Sequence, residues 1–193
     1  MLQCEMTFTA VRTRSPKCDW TYADYCRIPA DGKRHEVIDG RHYVTPAPEP
    51  YHQTLVLGLA SELRARIDKT GRGQVHIAPI DVHLAKGTVV QPDILAVAQE
   101  RRAIVGKKKI TGAPTLIVEV LSPSLSAHRR DRKVKLARYQ RAGVAEYLIV
   151  DPVTRSIEQF VLAGHQYQAP RRCTDRLALA TFPGVVIDLR EVW

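Results

Sequence analysis

The stretch Thr115-Leu-Ile-Val-Glu-Val-Leu121 constrains this chain more than any other. A run this short and this apolar reads as a strand buried on both faces of a sheet that helices cover. Glu119 stands in its middle. An ionised carboxylate in such a place is costly unless it is paired, hydrogen-bonded or bound to a metal ion. A salt bridge to a basic residue such as Arg138, or a solvated strand end, would satisfy it without any chemistry.

The remaining periodicities place helices and strands around that run. Residues 21–25 suggest a short helix, and Pro29-Ala-Asp-Gly32 has turn chemistry. Residues 35–44 read as two short strands about the Asp39-Gly40 pair. A proline-rich loop follows at 46–50, where a ladder cannot continue. Leu55, Leu59, Leu63 and Ile67 recur every four residues, which predicts an amphipathic helix from His52 to about Lys69. Residues 75–84 and 89–97 read as two strands joined at Lys86-Gly87, with Pro92 marking a bulge or an edge. Ser122-Pro-Ser124 breaks the chain after the apolar run, and a second helix from Asp131 to Ala142 stops at Gly143. Residues 146–150 form another central strand, residues 155–162 and 166–167 a closing hairpin, and residues 185–187 a last short strand. The order predicts an α/β class, a mixed β-sheet flanked by helices, in a single domain spanning 1–193.

Charge narrows the partners. Lys and Arg total 29 against 20 Asp and Glu, a net charge of +9. Such an excess attracts polyanions, nucleic acid foremost. Seven basic residues lie between Arg129 and Arg141 (Arg129, Arg130, Arg132, Lys133, Lys135, Arg138, Arg141) with only Asp131 among them. Arg101, Arg102, Lys107, Lys108 and Lys109 make a second cluster. Either cluster can equally be a solvated face. No apolar run approaches the roughly 18 residues of a membrane span, so no membrane partner is expected. The first 17 residues carry no apolar segment of signal-peptide length, so a cytoplasmic location is expected. Cys4, Cys18, Cys26 and Cys173 are far apart and read as free thiols rather than a zinc site.

Asp93 follows Pro92 at the kink of a strand, so it and Glu119 are two carboxylates on neighbouring strands. Converging carboxylates suit a hard divalent cation such as Mg²⁺. Asp131 and Lys135, four apart on the second helix, share one face that can return to the same cleft.

The ordered set Glu36-Val-Ile-Asp-Gly40, Pro48-Glu-Pro-Tyr-His52, Pro92-Asp93, 114–124, Asp131…Lys135-Leu-Ala-Arg-Tyr139 and Gly143-Val-Ala-Glu-Tyr-Leu-Ile-Val-Asp-Pro152 resembles the Uma-type restriction endonuclease family, over about residues 20–187. The resemblance implies a restriction-endonuclease-like core and a PD-(D/E)xK nuclease site that uses Mg²⁺ or Mn²⁺ to cut DNA. It assigns the acidic positions, and the metal, to Asp93 and Glu119. Two residues after Glu119 the pattern asks for lysine, and Leu121 stands there. The family resembled supplies its lysine from the following helix, which points to Lys135. Glu36, His52 and Asp131 rank second as metal or water contacts, although His52 equally fits a helix N-terminal residue with a structural hydrogen bond. Arg129, Arg130 and Lys133 are the expected DNA contacts, and a homodimer is left open. The competing reading is a non-catalytic nucleic-acid-binding or accessory protein that keeps the nuclease fold. A two-carboxylate sugar hydrolase suits the basic charge and the 6% aromatic content poorly.

Overall fold

Capping fixes the first element of the computed structural model, which describes residues 19–193. Thr21 and Asp24 cap α1 (Tyr22–Tyr25) reciprocally, each side chain accepting from the other's backbone N–H. The strands β1 (Arg34–Ile38) and β2 (Arg41–Thr45) form the expected hairpin. Its turn residues Asp39 and Gly40 have φ of 49° and 74°, a conformation that Asp and Gly tolerate best. Pro50 opens α2 (Pro50–Leu63), where its missing N–H would have no partner anyway. A π-helical turn (Arg64–Asp68) extends that helix. Leu55, Leu59, Leu63 and Ile67 are all buried, as their spacing requires.

The next stretch departs from expectation. Four strands occupy it rather than two: β3 (Gly73–Ile77), β4 (Val82–Ala85), β5 (Thr88–Val90) and β6 (Ile94–Ala98). Lys86-Gly87 does turn a hairpin, but between β4 and β5. Pro79 and Pro92 lack the N–H that a ladder needs, so no strand runs through either. Each break is a change of sheet. The strands β3 and β6 pair with one another, while β4 and β5 pair in a different sheet.

The chain continues through β7 (Ile110–Thr111), β8 (Leu116–Val120), α3 (Leu125–Arg129), a π-helical turn (Arg130–Lys135), α4 (Leu136–Ala142), β9 (Glu146–Asp151), β10 (Ser156–Ala163), β11 (Gln166–Tyr167), β12 (Arg171–Cys173), β13 (Arg176–Ala178) and β14 (Val186–Asp188). The second helix thus begins at Leu125 rather than Asp131, and Gly143 ends it with φ 81°. A seven-stranded mixed sheet runs β11-β10-β9-β8-β6-β3, with β12 also on β10. Its parallel pair is β8 with β9, and the helical segment between them supplies the crossover that parallel neighbours need. A five-stranded sheet runs β2-β1-β5-β4-β7, and β13 with β14 makes a ribbon.

Strand β8 is buried on both faces. Leu116, Val118 and Val120 pack in one core with α2, whereas Ile117 and Leu121 pack in the other with Tyr139 and the five-stranded sheet's Ile38, Val82 and Val90. Alternation puts Glu119 on the second face, between the two sheets. Cys26 and Cys173 are free thiols, while Cys4, Cys18 and the N-terminal segment lie outside the described residues. Among the described residues no helix is long and apolar enough to cross a membrane.

Gly73 marks a close approach of backbones: a Cβ there would lie 2.4 Å from the Val97 carbonyl oxygen and 3.1 Å from the Ala98 Cα. Gly73→Ala is expected to cost about 2 kcal/mol, since backbone must shift to admit the methyl group. Urea unfolding followed by circular dichroism measures it. Wild-type stability in the variant would mean that β3 and β6 are not so closely apposed.

Candidate active site

Strand register brings the acidic residues together. Ile94 pairs with Val118, so Asp93 and Glu119, one step beyond each on antiparallel strands, stand beside one another. Both share the sheet face of Leu95, Val97 and Ile117. Asp93 is 2% exposed and Glu119 1%.

Lys135 meets them from the helical segment, fully buried at 0% exposure. Its Nζ lies 2.8 Å from Glu119 Oε1, 2.9 Å from Glu36 Oε1 and 3.8 Å from Asp131 Oδ1. The basic partner of Glu119 is therefore Lys135. Arg138 instead reaches Asp39, at 3.4 Å. Two further donors complete the arrangement: the Tyr139 hydroxyl donates to Glu119 Oε1 at 2.7 Å, and the Gln91 N–H donates to Glu36 Oε1 at 2.9 Å. Asp131 lies one helical turn before Lys135, at 4% exposure, with Arg130 Nε 3.6 Å from its Oδ1.

Asp93 has a different set of partners. Arg34 Nη1 donates to its Oδ1 at 2.6 Å, and the Val120 N–H donates to Oδ2 at 2.9 Å. His52, in the first turn of α2, places Nε2 3.3 Å from that Oδ2 and 3.1 Å from the Val120 carbonyl oxygen. His52 thus reaches a backbone carbonyl of β8 and the Asp93 carboxylate at once.

Electrostatics sort the carboxylates. Burial pushes Glu119 up to about 7; Lys135 opposes that, while Asp93, Asp131 and Glu36 add to it. Asp131 is also raised, again chiefly by burial. Burial works against the ionised form of Glu36 too, but Lys135, Arg34 and Arg130 outweigh it and hold the pKa below the usual value. In Asp93 likewise, burial is outweighed by His52 and Arg34, and the pKa falls well below the carboxylate range. Burial disfavours the Lys135 ammonium, yet Glu119, Glu36 and Asp131 together raise its pKa and keep it charged. His52 is raised: the Asp93 carboxylate overcomes the effect of burial.

A cavity of about 960 Å³ opens over this cluster, lined among others by Arg34, His52, Gln91, Glu119, Arg130 and Asp131. Glu36 Oε2 and Asp131 Oδ1 are buried with no hydrogen-bond partner. Among the described residues no group of three or more His, Cys, Asp and Glu side chains forms a preformed metal site. The donor chemistry nevertheless fits a hard cation. Mg²⁺ characteristically takes one or two carboxylates and fills its other positions with water and substrate oxygens. Asp93 and Glu119 would supply that pair; burial is the main cause of the raised Glu119 pKa, and the neighbouring Asp93, Asp131 and Glu36 carboxylates add to it.

Arg129 and Lys133 are exposed on the helical segment, while Arg130 is half-buried and lines the cavity. Sequence reasoning missed Arg34 and Tyr139. A signal existed for each: Arg34 precedes Glu36 by two on a strand, hence shares its face, and Tyr139 follows Lys135 by four on a helix.

Comparison with known proteins bears on the family and the fold. The family model Uma2, described as "Putative restriction endonuclease", matches residues 22–190. No curated protein matches the chain. Among solved structures, a "putative nuclease belonging to DUF820 from Anabaena variabilis ATCC 29413" superposes with a TM-score of 0.73 at 14% identity, covering 90% of this chain and 97% of that one. At such an identity the likeness speaks for the fold, which is restriction-endonuclease-like.

The raised Glu119 pKa carries a sign. A carboxylate near 4.5 when unfolded and about 7 when folded binds its proton more tightly in the native state, so its contribution to stability is present at low pH and lost as pH rises through 7. Glu119→Gln removes that loss, on the order of 3 kcal/mol. The variant's melting temperature relative to wild type should therefore rise from pH 5 to pH 8. A constant difference across that range would contradict the proton-binding role.

Proposed function

We infer the activity from one premise: the chain belongs to the Uma2 family. We propose that it is a metal-dependent endonuclease that hydrolyses DNA phosphodiester bonds through a PD-(D/E)xK-like site of Asp93, Glu119 and Lys135. The observation that carries this reading is the Lys135 ammonium 2.8 Å from Glu119, with Asp93 beside it on the next strand and a cavity above. Leu121 stands where the pattern has lysine, and the helix supplies that group instead.

Asp93 and Glu119 would hold Mg²⁺ or Mn²⁺. When bound, such an ion stabilises charge on a phosphate oxygen and lowers the pKa of a bound water. The chain's own residues do the rest. Lys135, kept charged by three carboxylates, stabilises negative charge building on the phosphate or orients the attacking water. Tyr139 and Gln91 fix Glu119 and Glu36 through their hydrogen bonds, so little reorganisation is needed. Arg34 presents a guanidinium to the cavity beside Asp93, a group suited to phosphate oxygens. His52 holds the Val120 carbonyl and Asp93 in register. Asp131 backs the Lys135 ammonium, and Arg129, Arg130 and Lys133 face DNA from the helical rim.

One observation favours the alternative, a DNA-binding protein without catalysis. Both Asp93 oxygens already have donors, so Arg34 has to yield before an ion can take Oδ1. Plasmid cleavage decides between the two. Wild type should nick or linearise DNA with Mg²⁺ or Mn²⁺, and a chelator should stop it. Glu119→Gln, which keeps the volume, should cut about 10³-fold more slowly while remaining folded. If wild type cuts no DNA form with either ion, or the variant cuts as fast, the catalytic reading fails.

A further inference from the structure

The charge on the helical rim is mostly spent inside the molecule. Arg132 pairs with Glu158 and Asp151, while Arg138 and Arg141 both pair with Asp39. Lys135 is buried in the acidic cluster, and Arg130 stands on Asp131. Of that helix's seven cations, only Arg129 and Lys133 make no ion pair among the described residues.

The second basic cluster is different. Among the described residues none of Arg101, Arg102, Lys107, Lys108 and Lys109 makes an ion pair with a carboxylate. Arg101 and Arg102 sit on a 3₁₀ turn (Gln99–Ile104). Lys107 to Lys109 form the tip of a tight reversal, closed by the Gly106 N–H on the Lys109 carbonyl and by the Val105–Ile110 bridge. Three consecutive lysines on a fixed turn repel one another unless an anion meets them.

Register tells where this tip lies. Ile110 pairs with Val82 in the parallel pair β4–β7, so Lys109 is level with Asp81. Asp81, with Ala78, Pro79 and Tyr25, lines the cavity over the acidic cluster. The Tyr25 hydroxyl donates to Asp81 Oδ1 at 2.5 Å, and Lys109 Nζ stands 3.8 Å from the ring centroid of Tyr22, one turn earlier on α1. Tyr22 also stacks on His83, at 4.9 Å. Lys109 is thereby anchored at the β7 edge of the five-stranded sheet, next to the cavity-lining Asp81, rather than on the helical rim.

On the nuclease reading above, we propose that Lys107 and Lys108, supported by Arg101 and Arg102, form a second phosphate-backbone contact surface for duplex DNA. Two rims then flank the site. Arg129 and Lys133 hold the backbone on one side, and the lysine tip holds it on the other. Unpaired cations suit this task, because each phosphate neutralised releases a condensed counterion, whereas a cation already paired with Asp or Glu releases none.

The test is the salt dependence of binding, read by anisotropy of labelled duplex DNA with Ca²⁺ present. Lys107→Ala/Lys108→Ala lies on an exposed turn, and an unchanged melting temperature checks its fold. The slope of log K against log salt should become shallower by about 2, close to one for each phosphate that the variant leaves without a cation. If wild type binds and the slope stays the same, this surface is not the contact, and the nuclease reading is untouched. If the slope falls but wild type cuts nothing with Mg²⁺ or Mn²⁺, the surface stands and catalysis falls. A wild type that binds no duplex at any salt overturns the proposal.

Discussion

One buried ammonium group joins the two sheets. Lys135 is held by Glu36 of the five-stranded sheet and by Glu119 of the seven-stranded sheet, at 2.9 and 2.8 Å. Removing one member of a buried charged pair costs about 3–5 kcal/mol, because the other is left unpaired. The lysine is thus bound to its place by the fold, and the fold's two sheets are bound to each other through it. Tyr139 and the Gln91 N–H occupy further lone pairs, so the cluster tolerates burial.

The same constraint perturbs the carboxylates around it. Glu36, Asp93, Glu119 and Asp131 are all buried, and the cations within reach do not satisfy them equally. Asp93 keeps its charge beside Arg34 and His52, whereas Glu119 titrates near neutrality. Carboxylates driven in opposite directions occur at functional sites, and buried ion-pair networks produce the same pattern. The divalent ion proposed above would add positive charge to this cluster beyond that of Lys135.

Much of this was legible where the signal is local. The apolar run around Glu119, the four-residue leucine stripe and the Asp39-Gly40 turn each encode their own element. Register then placed Asp93 beside Glu119 with Lys135 above them, as their order along the chain suggested. What stayed hidden depends on distant partners. Pro79 and Pro92 signal a break but not that the chain crosses to another sheet. That Arg138 and Arg141 are paired could not be read locally, because their partner Asp39 is about a hundred residues away. Strands β7, β12 and β13 are two or three residues long and leave no periodicity to read.

The central claim is that Asp93 and Glu119 share a divalent cation. Anomalous diffraction from crystals soaked in Mn²⁺ tests it most directly. The account predicts one strong peak between the two carboxylates, with Arg34 moved off Asp93 Oδ1. A saturating soak with no peak there, and with Arg34 still 2.6 Å from Asp93, would contradict it.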